Sequence, residues 1–266
     1  MAFRTRFAPS PTGLLHLGHA FSALTASDAA QAAGGDFILR LEDIDHTRCR
    51  PAFEAAIYED LAAIGLKWPE PVLRQSEHLT DYQAALDRLR DLGVVYADAR
   101  TRKGQAEAAL GAPQEGDTES AELAPPAWRL SLNAARQVLG PRYDTLSFVE
   151  DGRGRQKASP EINGDVVLGR KDIGVAYHLC VVVDDARQAI SHVIRGHDLF
   201  DATHTQVLLQ ALLGLPQPVY RHHALLVDDQ GRRLAKRKGS KALRDYLADG
   251  LSAGDIRALI DETTRQ

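Results

Sequence analysis

Residues 6–20 read RFAPSPTGLLHLGHA, a proline-rich turn between a short strand and the opening of a helix. The strand is predicted over Phe3–Ala8. The helix is predicted over Leu17–Ala33, which is rich in alanine and ends at Gly34-Gly35. A second, mostly apolar strand follows at Phe37–Leu41, of the kind found in buried parallel sheets. This spacing predicts a right-handed βαβ unit, so the expected fold class is α/β with a doubly wound parallel sheet.

Further elements are predicted along the rest of the chain. Helical spacing returns at Pro51–Ile64, with the proline suited to a first turn. The small, polar and proline-punctuated residues of Gly104–Pro126 predict a loop or insertion. Strands are predicted at Tyr143–Val149, Asp165–Leu168, Cys180–Val183 and Ala224–Val227, and helices at Thr203–Leu213, from Lys241, and at Ser252–Ile260 with Ser252 as the N-cap. The acidic pair Asp184-Asp185, placed after a strand, is expected to have a structural, cap-like role.

The composition is that of an ordinary globular protein. Of the 266 residues, 44% are hydrophobic, and 32 basic against 36 acidic side chains give a formal net charge of -4. This balance excludes a basic nucleic-acid coat but allows a basic stripe on one face. The two cysteines, Cys49 and Cys180, exclude a disulfide framework and a four-cysteine zinc site. Because we find neither a signal peptide nor an apolar run of the ~20 residues that cross a bilayer, we expect a cytoplasmic protein with no membrane partner.

The first chemical signal is the segment His16-Leu17-Gly18-His19 at the predicted helix start. Unpaired N–H groups and a partial positive charge at a helix N-terminus attract a nucleotide phosphate, and a glycine lets the ligand approach the backbone. The two imidazoles can donate hydrogen bonds to phosphate oxygens whose charge grows in a transition state. By itself, so short a motif is also compatible with two histidines on a partly buried helix face.

The second signal is a basic turn, Arg232–Ser240, between a predicted strand and a predicted helix. A basic loop of this kind can close over a triphosphate and neutralise the leaving pyrophosphate. On residue type alone, a solvated basic loop and a patch for the RNA backbone remain as alternatives.

Taken in this order, the two motifs resemble the signatures of the class I aminoacyl-tRNA synthetases. His16-Leu17-Gly18-His19 is similar to the family's HIGH signature, and Arg233-Leu234-Ala235-Lys236-Arg237 is a looser match to its KMSKS signature. The glutamyl branch of the family is resembled more closely, through segments that extend from about Arg4 to about Lys241. These segments are Arg6–Gly13, Leu41–Asp45, Tyr177–Leu179, Val182–Asp185 and Val193–Gly196.

The resemblance implies a Rossmann-type catalytic domain that joins L-glutamate to ATP, with Mg²⁺ spreading the phosphate charge. The implied glutamate pocket consists of Arg6, Phe7, Ala8, Pro9, Ser10, Glu42, Tyr177 and Arg195. The implied ATP site consists of His16, Gly18, His19, Arg233 and Lys236. Among these residues, His16, His19 and Lys236 are the implied catalytic residues, acting through positioning and charge rather than through a covalent intermediate.

The shape of glutamate suggests how the implied pocket divides its work. Arg6 and Arg195 suit its carboxylates, Glu42 suits its ammonium, and Tyr177 adds a hydroxyl and a flat wall. The interval from Tyr177 to Arg195 is expected to span a strand, a turn and a short helix. On residue type alone, Glu42 could instead be a solvated strand-end carboxylate, Tyr177 a half-buried strand aromatic and Arg195 a surface ion-pair residue.

One departure from the family concerns zinc. Relatives commonly hold a zinc ion through Cys-x-Cys and a later Tyr and Cys. Where the first cysteines align, this chain has Asp98 and Arg100, and no cysteine follows before Cys180. Arginine does not ligate Zn²⁺, and the set of thiolates is absent. We therefore predict no structural zinc and no residues that bind a metal.

The residues that follow Arg237 are expected to be too few to form an anticodon-binding domain. This favours the shorter glutamyl-queuosine tRNA(Asp) synthetases, which Arg195–Leu199 also resembles. That family attaches glutamate to the queuosine base at the wobble position of tRNA(Asp), so the expected partners are L-glutamate, ATP and queuosine-bearing tRNA(Asp), and the expected state is a monomer. A truncated synthetase acting on a tRNA 3′ end and a non-catalytic nucleotide- or tRNA-binding relative are the alternatives. The expected division is a split catalytic domain (1–95 and 171–242), an inserted α+β subdomain (96–170) and a helical C-terminal remnant (243–266).

Overall fold

The structure, a computed structural model, describes residues 2–98, 126–170, 174–226 and 241–264. The strands are β1 (Arg4–Phe7), β2 (Asp36–Leu41), β3 (Leu73–Arg74), β4 (Val95–Asp98), β5 (Ala127–Leu130), β6 (Ser147–Glu150), β7 (Gly154–Lys157), β8 (Val167–Gly169), β9 (His192–Gly196) and β10 (Val219–His223). The helices are α1 (Leu17–Ala32), α2 (Pro51–Ala63), α3 (Leu79–Asp91), α4 (Leu132–Leu139), α5 (Pro141–Asp144), α6 (Tyr177–Arg187), α7 (Phe200–Leu213), α8 (Leu243–Ala248) and α9 (Ala253–Thr264). Single 3₁₀ turns occupy Gln75–His78, Pro160–Ile162 and His197–Leu199.

Parallel strands form the centre of the molecule, as the α/β prediction requires. β2 pairs in parallel with β1 on one side and with β3 on the other. β10 likewise lies between β9 and β6 and is parallel to both. The two sets adjoin where Ser191 N, just before β9, donates to Arg4 O of β1 at 3.0 Å. The carboxyl ends of β1, β2, β9 and β10 therefore open toward one common edge, the usual place for a site in such a sheet.

The predicted βαβ unit is confirmed over β1, α1 and β2. Alanines form much of the buried face of α1, including Ala20, Ala23 and Ala30, each at most 1% exposed. Side chains this small let the helix axis approach the sheet closely. The same core cluster includes Leu39 and Leu41 of β2.

A smaller antiparallel sheet, β4-β5-β8, lies beside the central one. Its strands fall within or next to residues 96–170, where an α+β insertion is predicted. From the same range, however, β6 pairs with β10 of the central sheet and carries the antiparallel hairpin partner β7. Most of the predicted loop Gly104–Pro126 lies outside the described residues.

The strand prediction at Cys180–Val183 is wrong, because these residues belong to helix α6. A run of β-branched valines favours a strand, but Leu179, Cys180, Val181 and Val182 are all almost fully buried. The buried residues of α6 also include Asp184 and Asp185, so burial of this helix extends beyond a single apolar stripe. Tertiary packing thus outweighs local propensity here.

Other boundaries also differ from the predictions. In Tyr143–Val149 the chain completes the short helix α5 before β6 starts at Ser147. The strand predicted over Ala224–Val227 lies earlier, because β10 ends at His223, and Val227 is outside the described residues. The interval from Tyr177 to Arg195 runs helix, turn and strand, the reverse of the expected order. The helices at Thr203–Leu213 and Ser252–Ile260 are confirmed, and Ser252 Oγ accepts a hydrogen bond from Asp255 N at 3.2 Å as an N-cap does.

Among the described helices, none combines the length and the apolar character needed to cross a membrane.

Candidate active site

A cavity of about 360 Å³ opens at the carboxyl ends of β1, β2 and β9. It is lined by every predicted site residue in the described part of the chain: Arg6, Phe7, Ala8, Pro9, Ser10, His16, Gly18, His19, Glu42, Tyr177 and Arg195. The predicted ATP-site residues Arg233 and Lys236 lie outside the described residues. The structure therefore gathers residues from β1, α1, the end of β2, α6 and β9 around one space, while their roles toward a substrate stay predictions.

His16 and His19 are held in place by the start of α1. His16 is the N-cap residue, and its Nδ1 accepts a hydrogen bond from Gly18 N at 3.1 Å. His19 Nδ1 accepts in turn from His16 N at 3.2 Å, so the two imidazoles satisfy backbone donors as a capping box does. Their ring centroids lie 3.8 Å apart. Because each Nδ1 acts as an acceptor, each neutral ring carries its proton on Nε2, where it can donate to an anion.

Gly18 leaves no room for a larger residue beneath the His16 ring. A Cβ at this position would lie 3.0 Å from His16 Cε1 and 3.1 Å from His16 Nδ1. Replacing Gly18 by alanine is expected to displace the ring by a few tenths of an ångström and to lower kcat for ATP–pyrophosphate exchange about tenfold. Glutamate KM is expected to change little, since the pocket for the amino acid is not touched. Gly254→Ala in α9, where a Cβ meets only Ser252 Oγ at 3.6 Å, is the control, and equal activity of the two variants would contradict this account.

The described residues just before 227 line this cavity, and those just after 240 pair with the backbone at the N-terminus of α1. Leu226 lines the cavity, and Ala242 forms an antiparallel bridge with His16. Leu243 N also donates to Leu15 O at 2.8 Å. The chain thus leaves the cavity wall before the KMSKS-like segment and returns at the N-terminus of α1 after it.

Arg6 is fixed by a bidentate ion pair. Its Nε and Nη2 donate to Asp185 Oδ1 and Oδ2 at 3.0 Å and 3.3 Å. Arg40 Nη1 donates to the same carboxylate at 2.8 Å. Burial alone would raise the pKa of Asp185, but Arg6 and Arg40 together hold it below its usual range. The predicted position of Asp184-Asp185, as a cap after a strand, is wrong, because both residues lie in the last turn of helix α6. The structural role predicted for the pair agrees with their contacts, since Asp185 accepts from Arg6 and Arg40 and Asp184 accepts from Gln75.

Glu42 belongs to a buried charge cluster that consists of Arg6, Arg40, Glu42, Asp184 and Asp185. Arg40 is fully buried and links the other members, with Nη2 donating to Glu42 Oε1 at 3.2 Å and Nε lying 3.8 Å from Asp184 Oδ2. Two guanidiniums against three carboxylates leave a formal excess of one negative charge. Burial raises the pKa of Glu42 although both arginines oppose this. A ligand ammonium at Glu42 would complete the charge balance of the cluster.

Arg195 presents a donor without a partner. Its Nε donates to His222 Nε2 at 3.1 Å, and its Nη2 donates to Thr203 Oγ1 at 2.7 Å and to Gln206 Oε1 at 2.9 Å. Its Nη1 is buried and has no hydrogen-bond partner in the part of the chain that the structure describes. A buried charged donor left unpaired is costly, so this atom marks where a carboxylate would be stabilised.

Tyr177 is the first residue of α6 and is only partly buried. Burial raises the pKa of its hydroxyl, which therefore stays protonated at neutral pH as a donor and acceptor. The alternatives based on residue type alone are wrong for its neighbours in the cavity, because Glu42 is 9% and Arg195 5% exposed. Neither is a solvated surface charge.

Sequence reasoning did not identify the residues that form hydrogen bonds to the cavity-lining side chains and orient them. Arg40 and Asp185 fix Glu42 and Arg6, and His222 contacts Arg195. The available signal was a charged residue within an otherwise apolar segment, as at Arg40 in β2. Further cavity-lining residues outside the prediction are Phe21, Ser22, Ile194, Gly196, Asp198, Leu199 and His223–Leu226.

The position at which the resemblance would place zinc holds an ion pair. Asp98, the last residue of β4, is 4% exposed, and Arg129 Nε of β5 donates to its Oδ2 at 2.7 Å. Arg129 Nη1 donates onward to Asp165 O at 2.7 Å. A carboxylate engaged by arginine, with no thiolate beside it, does not fit the tetrahedral sulfur-rich set of a structural zinc site. Within the described ranges no three His, Cys, Asp or Glu side chains are grouped as metal ligands would be.

Replacing Asp98 by alanine is expected to lower the free energy of unfolding by about 1–3 kcal/mol, because Arg129 loses a buried acceptor. The measurement is urea denaturation with and without a chelator, with metal content determined on the same sample. The control is Asp144→Ala, which removes the exposed pair Asp144–Arg136 and should cost at most about 1 kcal/mol. Stoichiometric zinc, or a wild-type protein destabilised by the chelator, would contradict the prediction of a zinc-free insertion.

Comparisons with known proteins show which family the chain belongs to. Residues 2–256 match the family described as tRNA synthetases class I (E and Q), catalytic domain. A Rhodobacter capsulatus protein named glutamyl-Q tRNA(Asp) synthetase is 48% identical, and the match covers 96% of this chain and 99% of that one. A protein of the same name from Nocardia farcinica is 41% identical, with 97% and 83% covered.

Among solved structures, the glutamate-tRNA synthetase of Elizabethkingia anophelis is similar, with a TM-score of 0.73 and 28% identity. The match covers 90% of this chain and 53% of that one, so this chain spans about half the length of that synthetase. On the match over residues 2–256, this chain belongs to the class I tRNA synthetases of the glutamyl and glutaminyl type, in their catalytic domain.

Proposed function

We propose that this protein activates L-glutamate with ATP and transfers the glutamyl group to the queuosine base at the wobble position of tRNA(Asp). The observation that carries the first half is that one cavity is lined by both Glu42 and Arg195. Glu42 belongs to a buried cluster with a formal excess of one negative charge, and the buried Nη1 of Arg195 has no hydrogen-bond partner among the described residues. An amino acid with a second carboxylate has the complementary charges. The second half is supported by the names of the relatives, which cover most of this chain at 41% to 48% identity.

In the first step, an oxygen of the α-carboxylate of glutamate attacks the α-phosphorus of ATP. A new O–P bond forms, the bond from that phosphorus to the bridging oxygen breaks, and pyrophosphate leaves. Glu42 holds the ammonium and Arg195 a carboxylate, while His16 and His19 donate from Nε2 to phosphate oxygens. Lys236 is proposed to neutralise the phosphates, and Mg²⁺ bound with ATP spreads their charge.

In the second step, a hydroxyl on the cyclopentene ring of queuosine attacks the activated carbonyl carbon. The ester bond forms, the hydroxyl gives up its proton to the leaving phosphate or to solvent, the bond from this carbon to the phosphate oxygen breaks, and AMP leaves. This route needs no nucleophilic side chain of the protein. Neither cysteine is suited to be a nucleophile, because burial raises the pKa of both Cys49 and Cys180 and so favours the protonated thiol.

The test of activation is ATP–pyrophosphate exchange on purified protein, with glutamate, aspartate or glutamine, and with or without tRNA. We expect exchange with glutamate alone and no requirement for tRNA. Exchange that appears only with tRNA(Glu) would favour a synthetase acting on a tRNA 3′ end. Absence of exchange in protein shown to be folded would leave a nucleotide- or tRNA-binding relative.

A further inference from the structure

Arg195 is the end of a row of buried polar side chains that crosses three neighbouring strands. In the register of the central sheet, Arg195 of β9 lies opposite His222 of β10, and β10 is paired on its other side with β6, which ends at Glu150. Glu150 is 2% exposed and His222 8%. Neither residue lines the cavity, so neither can contact a ligand there directly.

The hydrogen bonds in this row have a direction. Arg195 Nε can only donate, so His222 Nε2, 3.1 Å away, must be the acceptor. The proton of the neutral ring is then on Nδ1, which donates to Glu150 Oε2 at 2.9 Å. Glu150 Oε1 accepts from His222 N at 2.8 Å, so the carboxylate grips both the ring and the backbone of the same residue. One carboxylate therefore sets the tautomer and the orientation of the imidazole.

Burial lowers the pKa of His222 to about 3, and the positive charge of Arg195 is the second cause of this shift. The imidazole is therefore neutral at neutral pH. A neutral ring with a bare Nε2 is the only form that can accept from the guanidinium. His222 accepts from Nε of Arg195, and Thr203 and Gln206 accept from Nη2, so both of these donor nitrogens are engaged. The Nη1 atom, which has no hydrogen-bond partner among the residues that the structure describes, is then held in a fixed direction.

We propose that Glu150 and His222 are positioning residues for glutamate binding, which act by orienting the guanidinium of Arg195. This inference rests on the proposed function, because it takes the ligand of Arg195 to be a carboxylate of glutamate. Neither residue is assigned contact with the substrate. Their effect is to pre-organise one donor, so that its orientation is already fixed before the ligand arrives.

Glu150→Gln tests this with little change in shape. A glutamine offers one acceptor and one donor, so either its amide opposes His222 N or it forces the imidazole proton onto Nε2, against the donor of Arg195. We expect the KM for glutamate to rise about tenfold in ATP–pyrophosphate exchange, with the KM for ATP unchanged. Glu150→Asp keeps the charge but is too short to hold both donors, and a smaller rise is expected; it also serves if the glutamine variant fails to fold.

The matched control is Tyr220→Phe. It removes a buried hydrogen bond, from Gln210 Nε2 to the Tyr220 hydroxyl at 3.0 Å, two residues before His222 in the same strand. The ring near Arg195 is kept. A merely structural role predicts that this control and Glu150→Gln change both KM values alike, and that result would overturn the proposal. A rise confined to glutamate in Glu150→Gln supports it.

The imidazole tautomer is read independently of activity, from the ¹⁵N chemical shifts of His222. Proton residence on Nδ1 in the wild-type protein is expected, and residence on Nε2 would overturn the proposal. If the wild type shows no glutamate-dependent exchange, the proposed function fails while this spectroscopic result still decides whether His222 is oriented by Glu150. The two failures are therefore distinguishable.

Discussion

Replacing Glu42 by glutamine is expected to lower kcat/KM for glutamate by about 10²- to 10³-fold in ATP–pyrophosphate exchange. The variant keeps the size of the side chain but removes the charge that we assign to the substrate ammonium. The stability of the variant is not expected to fall, because the remaining cluster of Arg6, Arg40, Asp184 and Asp185 is formally neutral. We therefore expect thermal unfolding of Glu42→Gln at or slightly above the wild-type temperature. A protein that unfolds early would mean that Glu42 is structural.

The pH dependence of the same variant gives a second measurement. Burial raises the pKa of Glu42, so the carboxylate is protonated at a higher pH than an ordinary glutamate. Because the ammonium needs the charged form, kcat/KM for glutamate is full above this pKa and falls as the pH is lowered through it. In Glu42→Gln this acid limb should disappear. An acid limb that is unchanged in the variant would assign it to another group.

Replacing Arg40 by methionine is expected to lower the free energy of unfolding by about 3–5 kcal/mol. Arg40 is fully buried and is the shared partner of Glu42, Asp184 and Asp185. Methionine fills most of the space but leaves three buried carboxylates with Arg6 alone. Urea denaturation followed by circular dichroism is the measurement.

The control for this variant is Arg257→Ala, which removes the exposed ion pair with Asp28 on the outside of the molecule. Its cost should stay within about 1 kcal/mol. If Arg40→Met were no more costly than this surface variant, Arg40 would not be the residue that holds the cluster together.

The N-terminal unit was predictable because local signals and tertiary structure agree there. The strand, the alanine-rich helix and the apolar second strand at residues 4–41 each carry their own pattern, and the glycine pair marks the helix end. The residues of the cavity could be named only through the family resemblance. Glu42 and Arg195 on residue type alone fit a surface position as well as a buried one.

What the sequence does not reveal is mostly buried and polar. The sequence of helix α6 predicts a strand because its run of valines favours one, and only tertiary packing makes it a helix. The partnership of Glu150, His222 and Arg195 depends on the order of three strands that are distant in sequence, and no local pattern encodes that order. The same is true of Arg40 and Asp185, which meet across 145 residues of chain.

We propose that this enzyme glutamylates a base and not the tRNA 3′ end. This proposal is tested most directly by transfer of radiolabelled glutamate to tRNA(Asp) that carries queuosine but lacks the 3′-terminal adenosine. We predict transfer to this tRNA at the rate seen with intact queuosine-bearing tRNA(Asp), and none to tRNA(Asp) with guanosine at the wobble position. Transfer that requires the terminal adenosine, or that occurs on tRNA(Glu) instead, would contradict the account.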